Sequence, residues 1–442
     1  MTSSYEFAGD FSLLEVNLYP LNGQKINIKP LVLEITLYES VFSSALQAEL
    51  SIQDIGKNLI NTLPLVGQER VEIIISSDGF YYTLNYYIYS IDGRAMKEKN
   101  QVYIMHCVSI EAMRNENFRI CERIDGRLSH EYIGEILKRD NFTDKKFHND
   151  STVFPFNMYV PNWRPFDLFN WMSTRSVPDY KKDSVGYLFY ETLTGFHFKS
   201  IDVLLDQEVY PKKGFVYNYN QGNTESDSSS EKYRINKYAS PNVFNIYDDL
   251  RRGAFCHNSI YVDINRRTYR VFKSTVDEFW KDSSHADNVK PYVTKGGVQL
   301  LERGSRFVYR PTTQSTWGNW TENIQNTEKE NIDDVNKNFE KAFFRYYFLE
   351  YSHLDISVPG DLRNRCGNMI EVSIPSPEKT ESGRPKIDER ISGKYMVSAI
   401  KHTILNRSEL RTTVTLSRDT FGGDTIPDTF TGNSQINLDG IN

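Results

Sequence analysis

Cysteine is scarce in this 442-residue chain: Cys107, Cys121, Cys256 and Cys366 are the whole complement, and no two stand close together. With no CxxC and no dense, even spacing, they read as reduced, partly buried thiols, which excludes a secreted disulfide scaffold. Long apolar runs are missing too. No stretch approaches the roughly 18 residues that a membrane helix needs, and the opening MTSSYEFAGDFSLLEV has no basic segment leading into an apolar one. Neither a signal peptide nor a transmembrane span is therefore expected, and the chain is expected to be made in a cytoplasm and to stay there unless a larger assembly carries it out. Basic excess is also absent. The formal net charge is −6, without the strongly basic footprint of a nucleic-acid binder.

Patterned chemistry is equally thin. There is no GxxxxGK[ST] loop, no HExxH and no GxSxG, so phosphate-loop hydrolysis, this type of zinc peptidase and an α/β-hydrolase elbow are all excluded. The eight histidines, His106, His130, His148, His197, His257, His285, His353 and His402, are scattered. His106-Cys107 and Cys256-His257 resemble metal pairs, but a structural zinc needs four convergent ligands. Neighbours in a strand also point to opposite faces, and each pair reads better as a core thiol beside a surface imidazole. With 58 Asp and Glu, a glycosidase-like carboxylate pair can be picked out anywhere and discriminates nothing. The pairs Arg251-Arg252 and Arg266-Arg267 are too few to argue phosphate contact. No catalytic, cofactor-binding or metal-binding residue is assigned, no cofactor is expected, and the chain is read as a non-enzyme.

What is abundant is aromatic: 28 Tyr and 26 Phe, 13% with Trp, residues that favour strands and large contact surfaces. The length suggests roughly two to four domains. In the first 110 residues LQAELSIQ (46–53) alternates apolar and polar without a break, the mark of a half-buried strand. LVLEITLYE, RVEIIIS, FYYTLNYYIYSI and QVYIMHCVSI add four more strands. A short helix is expected in DIGKNLINTLPLVG, ended before Pro64, and a turn at Asp92-Gly93. This is the pattern of a compact antiparallel barrel.

The character then changes. HEYIGEILKRDN (130–141) reads as a helix, with Ser129 a candidate N-cap. NWRPFDLFNWMSTRS (162–176) reads as a buried aromatic helix opened by Pro165, with Trp163 expected to staple against Phe166 or Leu168. VGYLFYE and GFHFKSIDVLLDQ suggest a strand hairpin, and the polar QGNTESDSSSEK (221–232) a flexible linker. IYVDINRRTYRVFKST (260–275) alternates again, and 276–333 reads as an insertion. A Tyr- and Phe-rich helix over 333–351 leads to the strands HLDISVPG, NMIEVSIPS, KYMVSAIKHT and ELRTTVTLSR. A type II turn at Pro359-Gly360 is expected to pair the first two. The last 23 residues read as a mobile tail.

The order of these phrases resembles the baseplate central hub protein of contractile-tailed, T-even-like phages, related to the hub part of type VI secretion spike proteins. The likeness is carried by NWRPFDLFNWMSTRS, by GFHFKSIDVLL and by SIYVDINRRTYRVF (259–272). It is carried most specifically, over 333–419, by the aromatic helix followed by LDISVPGDLRNRCGNMIEVSIPS, SGKYMVSAIKHTI and ELRTTVTLSRD. It implies an α+β, mainly β chain with two similar antiparallel β-barrel tube domains, an α+β middle domain and an insertion. The expected boundaries are 1–111 for the first barrel, 112–228 for the middle domain, 229–275 plus 334–419 for the second barrel, 276–333 for the insertion and 420–442 for the tail. The resemblance further implies a homotrimer forming a pseudo-sixfold ring between the hexameric tail tube and the trimeric central spike. Tube or tube-initiator proteins and surrounding baseplate proteins are its implied neighbours, DNA passes transiently through the lumen, and the location is the virion tail baseplate, assembled in the host cytoplasm. Two other readings are a β-rich cell-wall or glycan hydrolase of the tail tip and a receptor-binding fibre component.

Overall fold

The fold is that of a computed structural model, which describes residues 11–422 apart from 22, 56–58, 64, 78, 98–99, 213, 218–232, 241–243, 264–266, 293–299, 313–326 and 380–384. The expected Ser-rich linker and nearly all of the expected tail lie outside the described residues.

The N-terminal strands are β1 (Phe11–Tyr19), β2 (Ile26–Asn27), β3 (Val32–Ser40), β4 (Gln47–Ile55), β5 (Arg70–Ser77), β6 (Phe80–Lys97) and β7 (Asn100–Val108), with the short helix α1 (Leu59–Thr62) after β4. Alternation is cleanest in β4. Ala48, Leu50 and Ile52 are buried while Gln47, Glu49 and Ser51 between them are not. Asp92-Gly93 does not end a strand. Gly93 takes φ 67° inside β6, and the register against β7 slips between Asp92 and Ala95, so β6 continues through a bulge.

The middle region holds α2 (Ile110–Asn117), β8 (Arg123–Arg127), α3 (Ser129–Lys138), β9 (Phe147–Asn149), β10 (Phe156–Tyr159), α4 (Pro165–Ser173), β11 (Tyr187–Thr192), β12 (Gly195–Ser200) and α5 (Ile201–Asp206). Pro165 opens α4 as expected, and Phe166, Leu168, Phe169 and Met172 are buried against β11 and β12. Each such side chain contributes roughly 1.5–3 kcal/mol. Trp163 meets Trp171 edge to face at 5.7 Å, one turn further along than the expected staple. Ser129 starts α3 as its first residue without capping it; its hydroxyl pairs with that of Ser176 at 2.7 Å. The run after Ser200 is a helix, not strand, and buries Ile201, Leu204 and Leu205.

Beyond it come β13 (Phe215–Val216), β14 (Lys237–Ala239), α6 (Ile246–Arg252), β15 (Cys256–Asp263), β16 (Thr268–Thr275), α7 (Val276–Trp280), β17 (Phe307–Thr312), α8 (Thr327–Leu349), β18 (Ser352–Pro359), β19 (Met369–Ser373), β20 (Pro375–Lys379), β21 (Pro385–Ile387), β22 (Gly393–Leu405) and β23 (Glu409–Arg418). The β15–β16 hairpin does not join the C-terminal strands as expected. It forms a separate three-stranded sheet with β17, from the expected insertion, and one face of it packs under α8.

Among the described residues one sheet of thirteen strands runs β14-β18-β23-β22-β3-β4-β7-β6-β5-β1-β2, with β19 also on β22 and β13 on β19. The chain is thus mainly β with large antiparallel pairing, but among these residues no pairing closes either half into a barrel. The halves are joined where β22 pairs with β3, from Ala399 opposite Ser40 to Leu405 opposite Glu34. The expected pairing across Pro359-Gly360 is replaced: β18 pairs with β23 and β14, and β19 with β22 and β13. Gly360 serves for space, because a Cβ there would stand 2.2 Å from Leu410 Cγ and 2.6 Å from its carbonyl oxygen.

Candidate functional site

The register across β3–β22 gives the large sheet two faces of opposite chemistry. One row runs Val358, Thr412, His402, Leu37, Ala48, Cys107 and Ile88, all buried. The next row, on the opposite face, runs Ser357, Thr413, Lys401, Tyr38, Gln47, Val108 and Tyr87, none of it buried. Its neighbours Arg411, Thr403, Thr36, Glu49 and His106 continue the polar face. Side chains there interlock. Tyr38 donates to Glu49 at 2.9 Å, His106 lies 3.3 Å from Glu49 and 3.4 Å from Asp92, and Thr415 donates to Asp355 at 2.7 Å. Hydroxyls dominate, and the cations Lys237, Lys401 and Arg411 are interspersed with the carboxylates Glu49, Asp92 and Asp355. The face is a continuous polar wall that crosses from one half of the chain to the other.

Buried ionic clusters tie the other layers to this sheet. Glu191 on β11 accepts from the Leu46 amide at 2.9 Å, the Ser109 hydroxyl at 2.7 Å and Lys145 Nζ, and so pins the middle region to the ends of β4 and β7. Burial pushes the Glu191 carboxyl up; burial works against the Lys145 charge, yet the Glu191 and Glu111 carboxylates hold its pKa above the ordinary value. Arg345 on α8 bridges Asp202 of α5 at 3.1 Å and Asp419, just past β23, at 3.2 Å. Asp419 also meets His285 Nδ1 at 2.6 Å, while His285 Nε2 faces the Trp280 carbonyl at 2.8 Å. Burial opposes the Asp419 charge, but His285 and Arg345 hold its carboxyl below the usual range.

The two apparent metal pairs resolve differently. His106 is on the polar wall and Cys107 in the core, where burial pushes its thiol up to about 12. Cys256 and His257 are both buried, so His257 is not the expected surface imidazole. Its Nε2 meets Glu340 of α8, and its Nδ1 lies 3.2 Å from the Gly253 carbonyl. The sheet face that carries His257 is the one α8 covers, a contact between distant segments that strand alternation cannot report. Among the described residues no group of three or more His, Cys, Asp or Glu is placed to hold a metal ion, and no helix is long and apolar enough to cross a membrane. Neither the polar wall nor the ionic clusters were assigned from sequence. The alternation of β3, β4 and β7 carried the wall's signal, whereas the clusters had none.

A mainly β chain organised around one long amphipathic antiparallel sheet has the fold of known tail proteins. A tail protein from Neisseria meningitidis MC58 matches with a TM-score of 0.53 at 11% identity, over 93% of this chain and 98% of that one. The 43 kDa tail protein of prophage MuSo2 from Shewanella oneidensis matches with a TM-score of 0.51 at 9% identity, over 92% and 98%. The tail-protein likeness expected from sequence is thus found at the level of the fold. No family model matches the chain, and no curated protein matches it in sequence.

Proposed function

We propose that this chain is a structural subunit of a phage tail baseplate, its central hub, without catalytic activity of its own. Three copies form a pseudo-sixfold ring that joins the hexameric tail tube to the trimeric spike, among surrounding baseplate proteins in the virion. The observation that carries the reading is the polar wall shared by both halves of the sheet, in a chain whose fold matches tail proteins over nearly its whole length. In this reading the wall lines the channel for DNA. Its hydroxyls are uncharged and its cations Lys237, Lys401 and Arg411 are matched by Glu49, Asp92 and Asp355, so the polyanion slides past without the counterion-release affinity that a net basic wall would give.

The proposal includes the division into a first β unit (1–111), a middle unit (112–228), a second β unit, an insertion and a tail. The pairing supports drawing the second β unit from 233–239 and 352–418, and grouping 256–275 with β17 and α8. Similar barrel-like organisation of the two β units remains part of the reading. Sedimentation velocity or mass photometry of the purified chain, alone and with its spike, tests it. A species of three chains with a threefold ring in projection is expected. A stable monomer that forms no ring with the spike, or peptidoglycan turnover by the chain alone, overturns it.

A further inference from the structure

The three-stranded sheet of β15, β16 and β17 has two unlike faces. Its register sets Asn258, Lys273 and Phe307 in one row, Ile260, Val271 and Tyr309 in the next, and Val262 beside Tyr269 beyond them, all on one face. The opposite face carries His257, Ser259 and Tyr261, all buried, and packs under α8. The first face is open to solvent: Tyr269 is 72% exposed, Tyr309 70%, Phe307 60% and Val271 53%. Where the open face of the large sheet is a wall of hydroxyls and charges, this one presents rings and aliphatic groups. An exposed apolar patch of this kind marks a binding surface.

The same sheet is a basic part of an acidic chain. Residues 256–275 and 301–312, which include the three strands, hold seven Lys or Arg against two Asp or Glu, a net charge of +5 in a chain of net charge −6. The whole-chain charge conceals this local excess. Lys273 lies in the open face itself, Arg267 is exposed just before β16, and Arg303 and Arg306 are exposed on the approach to Phe307. Glu302 is exposed among them, and its carbonyl accepts from Lys273 Nζ at 2.6 Å. Positive charge and open rings on one sheet surface answer two parts of a single ligand. Phosphates along a strand are drawn by the cations, and each unpaired base has a π-face that stacks on Tyr or Phe whatever its identity. A duplex hides those faces, and an acidic polypeptide meets the charge but brings no base to stack on the rings.

We propose that this face binds single-stranded nucleic acid, with bases stacked on Tyr269, Phe307 and Tyr309 and phosphates on Lys273 and the flanking arginines. The inference goes beyond the hub reading and does not depend on it. The strand is DNA or RNA, since both carry the phosphates and the open base faces that this surface recognises.

Fluorescence anisotropy of labelled oligo-dT and oligo-rU titrated with the full-length chain tests the site, with a duplex of the same length and poly-L-glutamate as competitors. Both single strands are expected to bind, with log affinity falling against log salt at a slope of roughly −2 to −3, as for three or four phosphates contacted. Tyr309→Ala is expected to weaken binding about fivefold or more, and Tyr309→Phe to leave it within about twofold, because the ring and not the hydroxyl stacks. Lys273→Gln is expected to make the salt slope shallower by about 0.7. Tighter binding of oligo-dT assigns the source to DNA and of oligo-rU to RNA; equal binding supports a site that accepts either. Hydrogen exchange on the wild-type chain keeps the test independent of how the variants fold: oligonucleotide-induced protection is expected at 258–262, 268–273 and 307–310. No binding at low salt, equal binding of the duplex, displacement by poly-L-glutamate at equal charge, unchanged affinity in a folded Tyr309→Ala protein, or protection confined to other segments would each overturn the proposal.

Discussion

His402 lies in the buried row of the large sheet, with Nδ1 2.9 Å from the Thr412 hydroxyl and Nε2 buried without a partner. Burial, with Arg365 acting in the same direction, pushes its pKa down to about 3. The folded protein therefore holds this ring neutral, while the unfolded chain protonates it below about 6.5. The unfolded state binds more protons between those values, so stability falls as pH drops from 6.5 towards 3, by roughly 1.4 kcal/mol per pH unit for this group. Burial also pushes His197 down, to about 4, and adds to the same window. Denaturant melts of wild type and His402→Gln at several pH values are expected to give a shallower slope in the variant between pH 5 and 6. Identical slopes would remove His402 from this role. That a histidine stands in the sheet was legible from KYMVSAIKHT. That it is neutral and enclosed depends on β3 and β23 flanking it, which no local pattern announces.

At the scale of the element, Gly360 is a close-approach site. Gly360→Ala would drive a methyl into the Leu410 side chain and carbonyl, and forced overpacking of this kind costs about 1–3 kcal/mol. A lower denaturation midpoint with unchanged denaturant dependence is the expected result; an unaltered midpoint would mean that β18 and β23 separate easily there. The sequence pattern marked HLDISVPG (353–360) and 409–418 as strands, close to the observed Ser352–Pro359 and Glu409–Arg418, and the glycine as special. It misjudged the reason, because a Pro-Gly dipeptide reports turn chemistry while the partner strand across the sheet is set by non-local packing. The same limit explains Asp92-Gly93: the dipeptide signals a positive φ, and whether the chain reverses or bulges is decided by the strand beside it.

For the whole molecule, Glu191 is the fastening between the N-terminal strands and the middle region. Glu191→Ala leaves the Leu46 amide and the Ser109 hydroxyl without their buried acceptor, at a cost of about 1–3 kcal/mol for each group so orphaned. Faster hydrogen exchange at Leu46 is the expected local sign, along with a lowered midpoint. Exchange at the wild-type rate would show the two regions to be held by their other contacts, among them the Leu193 amide on Glu39. The joined sheet gives this fastening its importance: β22, near the C-terminal end, completes the N-terminal strands at β3, so a loosened middle region strains pairing in both halves.

The sequence by itself determined the mainly β character, the positions of most strands, the apolar face of α4 and the polar residues of the sheet wall. These follow from periodicities of two and 3.6, which are local properties of the chain. Only the tertiary structure decided that the two sets of strands form one sheet, that β15 and β16 leave it for β17, and that Asp202, His285, Arg345 and Asp419 meet in one cluster. Alternation states which face a residue occupies and says nothing about which strand lies beside it. Partner choice is settled by the total burial and hydrogen bonding available to segments far apart in the chain.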